Sequence, residues 1–437
     1  MRNVIVVLSA VIAPTLLVRS QITGPMPGYA DLTEVSIWFQ CHGPCKAAIA
    51  YWDQQRPDSV LRTEERSSDP EDGNAFTFRI GDLQPGRTYG YRVELDGRPV
   101  DPAAPLHVST QPLWRWRTDP PDFKVALGSC AYINEPGMDR PGKPYGGGYG
   151  IFDHIADLRP DLMLWLGDNV YLREPDWGSW TGILHRYTHT RSLPDMQRLL
   201  RSTHHVAIWD DHDFGPNDGD GSFVNAAYTR RAFELFWPNP TFGVPGADGI
   251  TTMFSWNDID FFLMDDRTFR VPPSMRTATG TILGKAQIDW LIQALKYSKA
   301  PFKLVAIGGQ FLSDAAEFEN YATCPTERAE IIERIHAEGI TGVIFLTGDR
   351  HFTELTALPS DDGNTLYDLT VSPLTSATYD PSGKNSLSVP GTVVAKRNFG
   401  VLEFSGPMGA RAMRIAILDT DGNLQWERTL TQPAPVR

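Results

Sequence analysis

The chain has 437 residues and a formal net charge of −13, with 41% hydrophobic and 21% charged residues. That length predicts two domains around more than one core, and the composition excludes wholesale disorder. The acidic balance leaves no positive field to gather nucleic acid or an anionic membrane surface, so an anionic substrate must be attracted by local charge.

Within residues 1–20, the stretch from Met1 to Val18 holds one basic residue, Arg2, and an apolar run from Val4 to Val18. This is the pattern of a signal peptide, too short for a full bilayer span, although Arg19-Ser20-Gln21 lacks the small-residue cleavage pattern. A periplasmic or secreted protein is expected, with no stable membrane insertion after cleavage. Residues 22–118 alternate at period two, with Val35, Ile37 and Phe39, then Phe76, Phe78 and Ile80, then Tyr89, Tyr91, Val93 and Leu95. Turns at Pro85-Gly86 and Asp96-Gly97 separate the runs. The expectation is a small all-β sandwich resembling a fibronectin III module, joined to the rest by the Pro- and Trp-rich stretch 112–121. Cys41 and Cys45 flank three residues and read either as a local disulfide, which an exported protein can close, or as two unpaired thiols.

Residues 121–437 read as one layered α/β domain. Helices are predicted over 150–158, 225–236, 284–297 and 326–338, and a closing β-hairpin around Asp421-Gly422 within 399–430. A Gly- and Pro-rich loop, 134–149, is a candidate flexible rim. Five apolar runs end abruptly in residues that bind metals: at Gly128-Ser129-Cys130, at Gly167-Asp168 with Tyr171 beyond, at Asp210-Asp211-His212-Asp213, at Gly308-Gly309-Gln310, and at Gly348-Asp349-Arg350-His351. Strands buried on both faces read this way, and sites in such folds collect at their carboxyl ends. Acidic residues this dense repel one another unless something positive sits among them, and two cations would neutralise them.

In their order, Gly128-Ser129-Cys130, Gly167-Asp168-Asn169-Val170-Tyr171, Trp209-Asp210-Asp211-His212-Asp213 and Gly348-Asp349-Arg350-His351 resemble the PhoD-like alkaline phosphatases of the calcineurin-like metallophosphoesterase superfamily. The resemblance implies a two-sheet β-sandwich flanked by helices, and hydrolysis of a small phosphate ester. It also implies Asp168 as a bridge between two cations. Cys130, Tyr171 and His351 complete one site, which would take iron(III). Asp211 and Asp349, with Asn217 or Gln310, form the other, which would take calcium, with manganese or zinc as alternatives.

His212 is then expected as the general acid. The family often carries Arg between the two ends of its Gly-Asp-x-x-Tyr block; here those positions are Asn169 and Val170, so Arg173 is expected either to hold the phosphate or to form a surface salt bridge. His204 and His205 read as a surface or edge pair, and 185–191 as a substrate mouth or a solvated helix face. A phosphate-binding or cell-envelope-binding protein that holds metals without turnover is the alternative; a nuclease fits the charge poorly. Monoesters and diesters fit these blocks equally, and no feature sets an oligomeric state.

Overall fold

The computed structural model describes residues 21–100, 106–273, 280–360, 363–381 and 384–432. The leader expected over 1–20 lies outside the described residues. No described helix is long and apolar enough to cross a membrane.

The period-two runs form strands β1 (Ile22–Ala30), β2 (Val35–Cys41), β3 (Lys46–Asp53), β4 (Leu61–Arg62), β5 (Arg66–Ser67), β6 (Ala75–Ile80), β7 (Thr88–Leu95), β8 (Arg98–Pro99) and β9 (Leu106–Ser109). One sheet has the order β1-β2-β6; the other runs β4-β3-β7-β8, with β5 on β3 and β9 on β7. Cys41 and Cys45 are joined as a disulfide. Alternation in β2 predicts one wet face, yet every residue of the strand is buried. The second face is covered by the larger unit: Trp38 Nε1 donates to Leu235 O at 3.0 Å, and Gln40 Nε2 to Thr188 Oγ1 at 2.9 Å.

The larger unit contains β10 (Phe123–Gly128), α1 (Ile151–Asp157), β11 (Leu162–Leu166), α2 (Trp180–Arg191), α3 (Gln197–Ser202), β12 (His204–Ile208), α4 (Asp211–Phe214) and α5 (Ala226–Phe236). Then come β13 (Thr252–Trp256), β14 (Ile259–Leu263), α6 (Gly284–Tyr297), β15 (Lys303–Ala306), α7 (Pro325–Ala337), β16 (Val343–Thr347), β17 (Glu354–Leu358), β18 (Leu366–Thr370), β19 (Asn398–Ser405), β20 (Ala412–Asp419) and β21 (Leu424–Thr431). The four expected helices stand where the sequence places them. The closing hairpin is β20-β21, and β19 ties it to β10.

Two six-stranded mixed sheets result, β12-β11-β10-β19-β20-β21 and β13-β14-β15-β16-β18-β17. Strands β10, β11 and β12 are parallel, as are β14, β15, β16 and β18. Their side chains divide by period two. Phe261, Leu304, Ile344 and Leu346 share one core with Val125, Leu127, Leu164 and Leu166 of the facing sheet. Phe262, Val305 and Phe345 face the other way, onto Leu291 and Ile292 of α6 and Ile331 of α7. The outcome is a mixed α/β two-sheet sandwich with helices outside.

Two sequence expectations are corrected here. His204 and His205 lie on β12, the edge strand of its sheet, but are buried rather than at the surface, because β1 packs across that strand. His204 Nδ1 lies 2.7 Å from Gly28 O, and the Trp165 indole donates to His205 Nδ1 at 3.0 Å. Helix α2 is solvated on one side only, with His185 exposed but Arg186, Tyr187 and Arg191 buried. Arg186 pairs with Glu135 and Asp176, and the Arg191 guanidinium lies 3.7 Å from the Trp237 ring centroid.

Candidate metal centre

The carboxyl ends of β10, β11, β12, β15, β16 and β18 meet along one rim, and glycines let them approach. A Cβ on Gly348 would stand 2.6 Å from Ser129 Cβ and 2.7 Å from Leu166 O. Beyond these tips Cys130, Asp168, Asp349 and His351 all take left-handed backbone, with φ of 60, 53, 62 and 59°. Such a conformation costs a non-glycine residue roughly 1–2 kcal/mol, so four together mark a place where geometry outranks stability.

The expected ligands converge. Ligand atoms of Cys130, Asp168 and His351 lie within 4.8 Å of one another, as do those of Asp168, Asp211 and His212, and those of Asp210, Asp211 and Asp349. Asp168 and Asp211 link the three groups into one cluster. Tyr171 Oη donates to Asp168 Oδ2 at 3.0 Å and stands 3.4 Å from His351 Nε2. Cys130 Sγ is 3.6 Å from Asp168 Oδ2 and accepts from Ser372 Oγ at 3.1 Å. Ser376 Oγ and Tyr145 Oη lie 3.2 and 3.3 Å from the two ring nitrogens of His351.

Electrostatics test whether a cation fits. Burial, then Asp211 and Asp210, pushes the Asp168 carboxyl far above the usual range. Burial, then Asp210 and Asp211, does the same to Asp349. Burial, then Asp168, raises the Cys130 thiol and the Tyr171 phenol. Burial also opposes ionisation of Asp211, but His212, Arg267 and the Asp218 amide outweigh it and bring that carboxyl to about 2. Asp210 Oδ2, Asp211 Oδ1 and His212 Nδ1 are buried with no hydrogen-bond partner among the described residues. Cations placed among these carboxylates would remove the repulsion and satisfy the orphaned oxygens of Asp210 and Asp211.

Other residues hold the cluster in shape. Asp213 accepts the backbone N–H groups of Asn169, Val170 and Asp210, tying the β11 and β12 tips together. Arg267, wholly buried, pairs with Asp210 and, at 2.7 Å, with Glu319. The sequence signal for Arg267 was present in Asp265-Asp266-Arg267, which follows the apolar run of β14. Ser372 and Ser376 follow β18, where the buried Asp368 interrupts the apolar run.

Of three further expected residues, Arg173 is placed differently, while Gln310 and Asn217 stand beside the cluster. Arg173 lies in the cavity wall near His212, but its guanidinium is buried and spent on the protein. Nε donates to Tyr132 Oη at 3.1 Å and pairs with Asp139 at 2.8 Å, Nη1 donates to Tyr171 O, and Nη2 to Ile133 O. It is a brace for the Tyr171 segment, neither a phosphate clamp nor a surface ion pair. Gln310 stands at its strand tip with Nε2 donating to Thr370 Oγ1 at 3.0 Å. Asn217 is exposed and lines the same cavity as Tyr171 and His212. The loop 134–149 does form a rim, closed at its base by Asn134 Nδ2 to Gly146 O and Gly146 N to Asn134 Oδ1.

A family model described as PhoD-like phosphatase matches residues 125–406, and one described as a domain of unknown function, DUF7800, matches 19–112. Alkaline phosphatase D of Bacillus subtilis strain 168 is 22% identical over 359 residues, which cover 70% of this chain and 59% of that protein. The chain therefore spans less than two thirds of that relative's length. The solved structure of PhoD superposes with a TM-score of 0.74 at 17% identity, covering 95% of this chain and 93% of its own. A purple acid phosphatase from yellow lupin seeds gives 0.69 at 11% identity, covering 94% and 74%. Both share the metallophosphoesterase-like fold with this chain.

Proposed function

Because the chain belongs to the PhoD-like phosphatase family, we propose that it hydrolyses small phosphate esters at the cluster of Cys130, Asp168, Tyr171, Asp211, Asp349 and His351. One observation carries the reading: Asp168 shares close groups of potential ligand atoms both with Cys130 and His351 and with Asp211 and His212. We assign Cys130, Tyr171, His351 and Asp168 to iron(III), since anionic thiolate and phenolate donors suit a trivalent ion. Asp168, Asp211 and Asp349 offer oxygen donors that suit calcium, with manganese or zinc as alternatives, and Asn217 is close enough to the cavity to join them. When bound, such cations supply Lewis acidity, neutralising phosphate oxygens and making water a stronger acid.

The chain's own residues do the rest. His212 lines the cavity beside the cluster and supplies the proton that the leaving oxygen takes. Arg173 fixes the backbone of Tyr171, and Tyr145 and Ser376 orient the His351 ring. The Cys41–Cys45 disulfide supports export to the periplasm or beyond, in keeping with the leader expected over 1–20. The split of the small unit into two antiparallel sheets supports a fibronectin III-like domain over 22–118, followed by the phosphoesterase domain over 121–437.

Elemental analysis of the purified protein, run alongside hydrolysis of 4-nitrophenyl phosphate and bis(4-nitrophenyl) phosphate before and after chelation, tests this. Iron near one atom per chain and chelator-sensitive release of nitrophenol are expected. Zinc alone overturns the iron assignment, and bound metal with phosphate affinity but no hydrolysis favours the non-catalytic alternative.

A further inference from the structure

Between the rim loop 134–149 and the segment from Tyr171 to Trp177 lies a cavity of about 240 Å³. Tyr171 and His212 belong to its wall, so it opens directly beside the cation cluster. Much of its polar lining is already committed: Asp139 to Arg173 and to Tyr132 Oη, and Glu174 to Arg140. Beside Lys143, His212 and Asn217, what remains to meet a ligand is apolar surface from Tyr132, Met138, Pro144, Tyr145 and Trp177. Tyr132 stands edge-on to Tyr145 at 4.9 Å between ring centroids and is covered by the Arg173 guanidinium at 4.3 Å, so the exposed ring of Tyr145 is the one left to meet a ligand ring. Lys143, exposed at the same wall and without an ion-pair partner among the described residues, adds positive charge where an anionic ester enters.

Resting on the hydrolase reading above, we propose that this cavity is the leaving-group subsite and that it selects phosphate esters whose alcohol carries one flat apolar or aromatic group. A phosphate held at the cluster sits beside Tyr171 and His212, which also line this cavity, so the alcohol is the part of the ester that reaches into it. Its volume falls below the roughly 300–1,000 Å³ filled by drug-sized ligands, which limits the occupant to about a single ring.

The test compares 2-phenylethyl phosphate with ethyl phosphate, whose alcohols are similarly acidic, on the metal-loaded protein. It then compares binding of 2-phenylethylphosphonate and ethylphosphonate by calorimetry. A preference of about tenfold or more for the phenyl compound is expected in both measurements. Met138→Ser should reduce that preference at least about threefold, and since Met138 is 41% exposed the fold does not rest on it. Hydrolysis of both esters at equal efficiency, with equal phosphonate affinities, overturns the subsite and leaves the hydrolase reading standing. Absence of hydrolysis with selective binding of the phenyl phosphonate overturns the hydrolase reading and keeps the selective cavity. Equal binding without hydrolysis overturns both.

Discussion

The phenol of Tyr171 donates to Oδ2 of Asp168 at 3.0 Å, and burial together with the Asp168 carboxylate holds that phenol protonated. A trivalent cation in the same place would strip that proton and turn the donor into a ligand. Tyr171→Phe should therefore abolish the visible charge-transfer absorption of a phenolate–iron(III) pair and lower iron affinity or turnover by roughly 10-fold or more, since even a partner that only orients a ligand is worth about that. Absorption spectra of the two purified proteins check this; a variant that keeps its colour removes Tyr171 from the ligand set.

His212 differs from the ligands in its task. His212→Ala should lower kcat by about 10²–10⁴, the usual worth of a positioned acid, while phosphate inhibition constants stay within a few-fold. Unchanged turnover would show that water protonates the leaving oxygen unaided.

Gly348 sits where the tips of the two sheets touch. Gly348→Ala would press a methyl against Ser129 and the Leu166 carbonyl, and overpacking of this kind costs about 1–3 kcal/mol. Because the same contact sets the spacing of Cys130 and Asp349, metal content should fall along with the urea midpoint. A variant of wild-type stability and full metal content would refute the close-approach argument.

Burial holds the His205 imidazole down to about 3, with Arg191 adding to the effect. Its folded value lies below the unfolded one of about 6.5, so its contribution is complete above pH 6.5 and is lost as pH falls toward 3. Between pH 7 and 5 that loss is about 2 kcal/mol for this one residue. His205→Gln should be less stable at pH 7 yet lose about 2 kcal/mol less than wild type over the same interval. Urea unfolding at both pH values measures the difference, and equal losses in the two proteins would contradict the buried-neutral assignment.

The strand tips were legible because a parallel strand buried on both faces must be apolar throughout, so its end is marked by the first polar residue. Cys130, Asp168, Asp211, Asp349 and His351 were found that way. The same logic passed over the β18 tip because Asp368 lies inside that strand, where it accepts the Phe311 and Leu312 amides and breaks the apolar signal. Arg173, Arg186 and Arg191 were misplaced for a common reason. A guanidinium reads as solvent-facing in a sequence, and only tertiary structure supplies the carboxylates, carbonyls and Trp237 ring that let it be buried. His204 and His205 depended on β1, which meets them from more than 170 positions away.

Gly28 sits so tightly on Pro238 that a methyl there would overlap the ring, and Trp38 is sealed against Phe236. The amino-terminal sandwich is therefore not an ornament that can be trimmed. A fragment starting after Thr118 would bare Phe236, Trp237 and the β12 histidines as an adhesive patch. Such a fragment should precipitate on expression, whatever the state of the metal ligands it still carries.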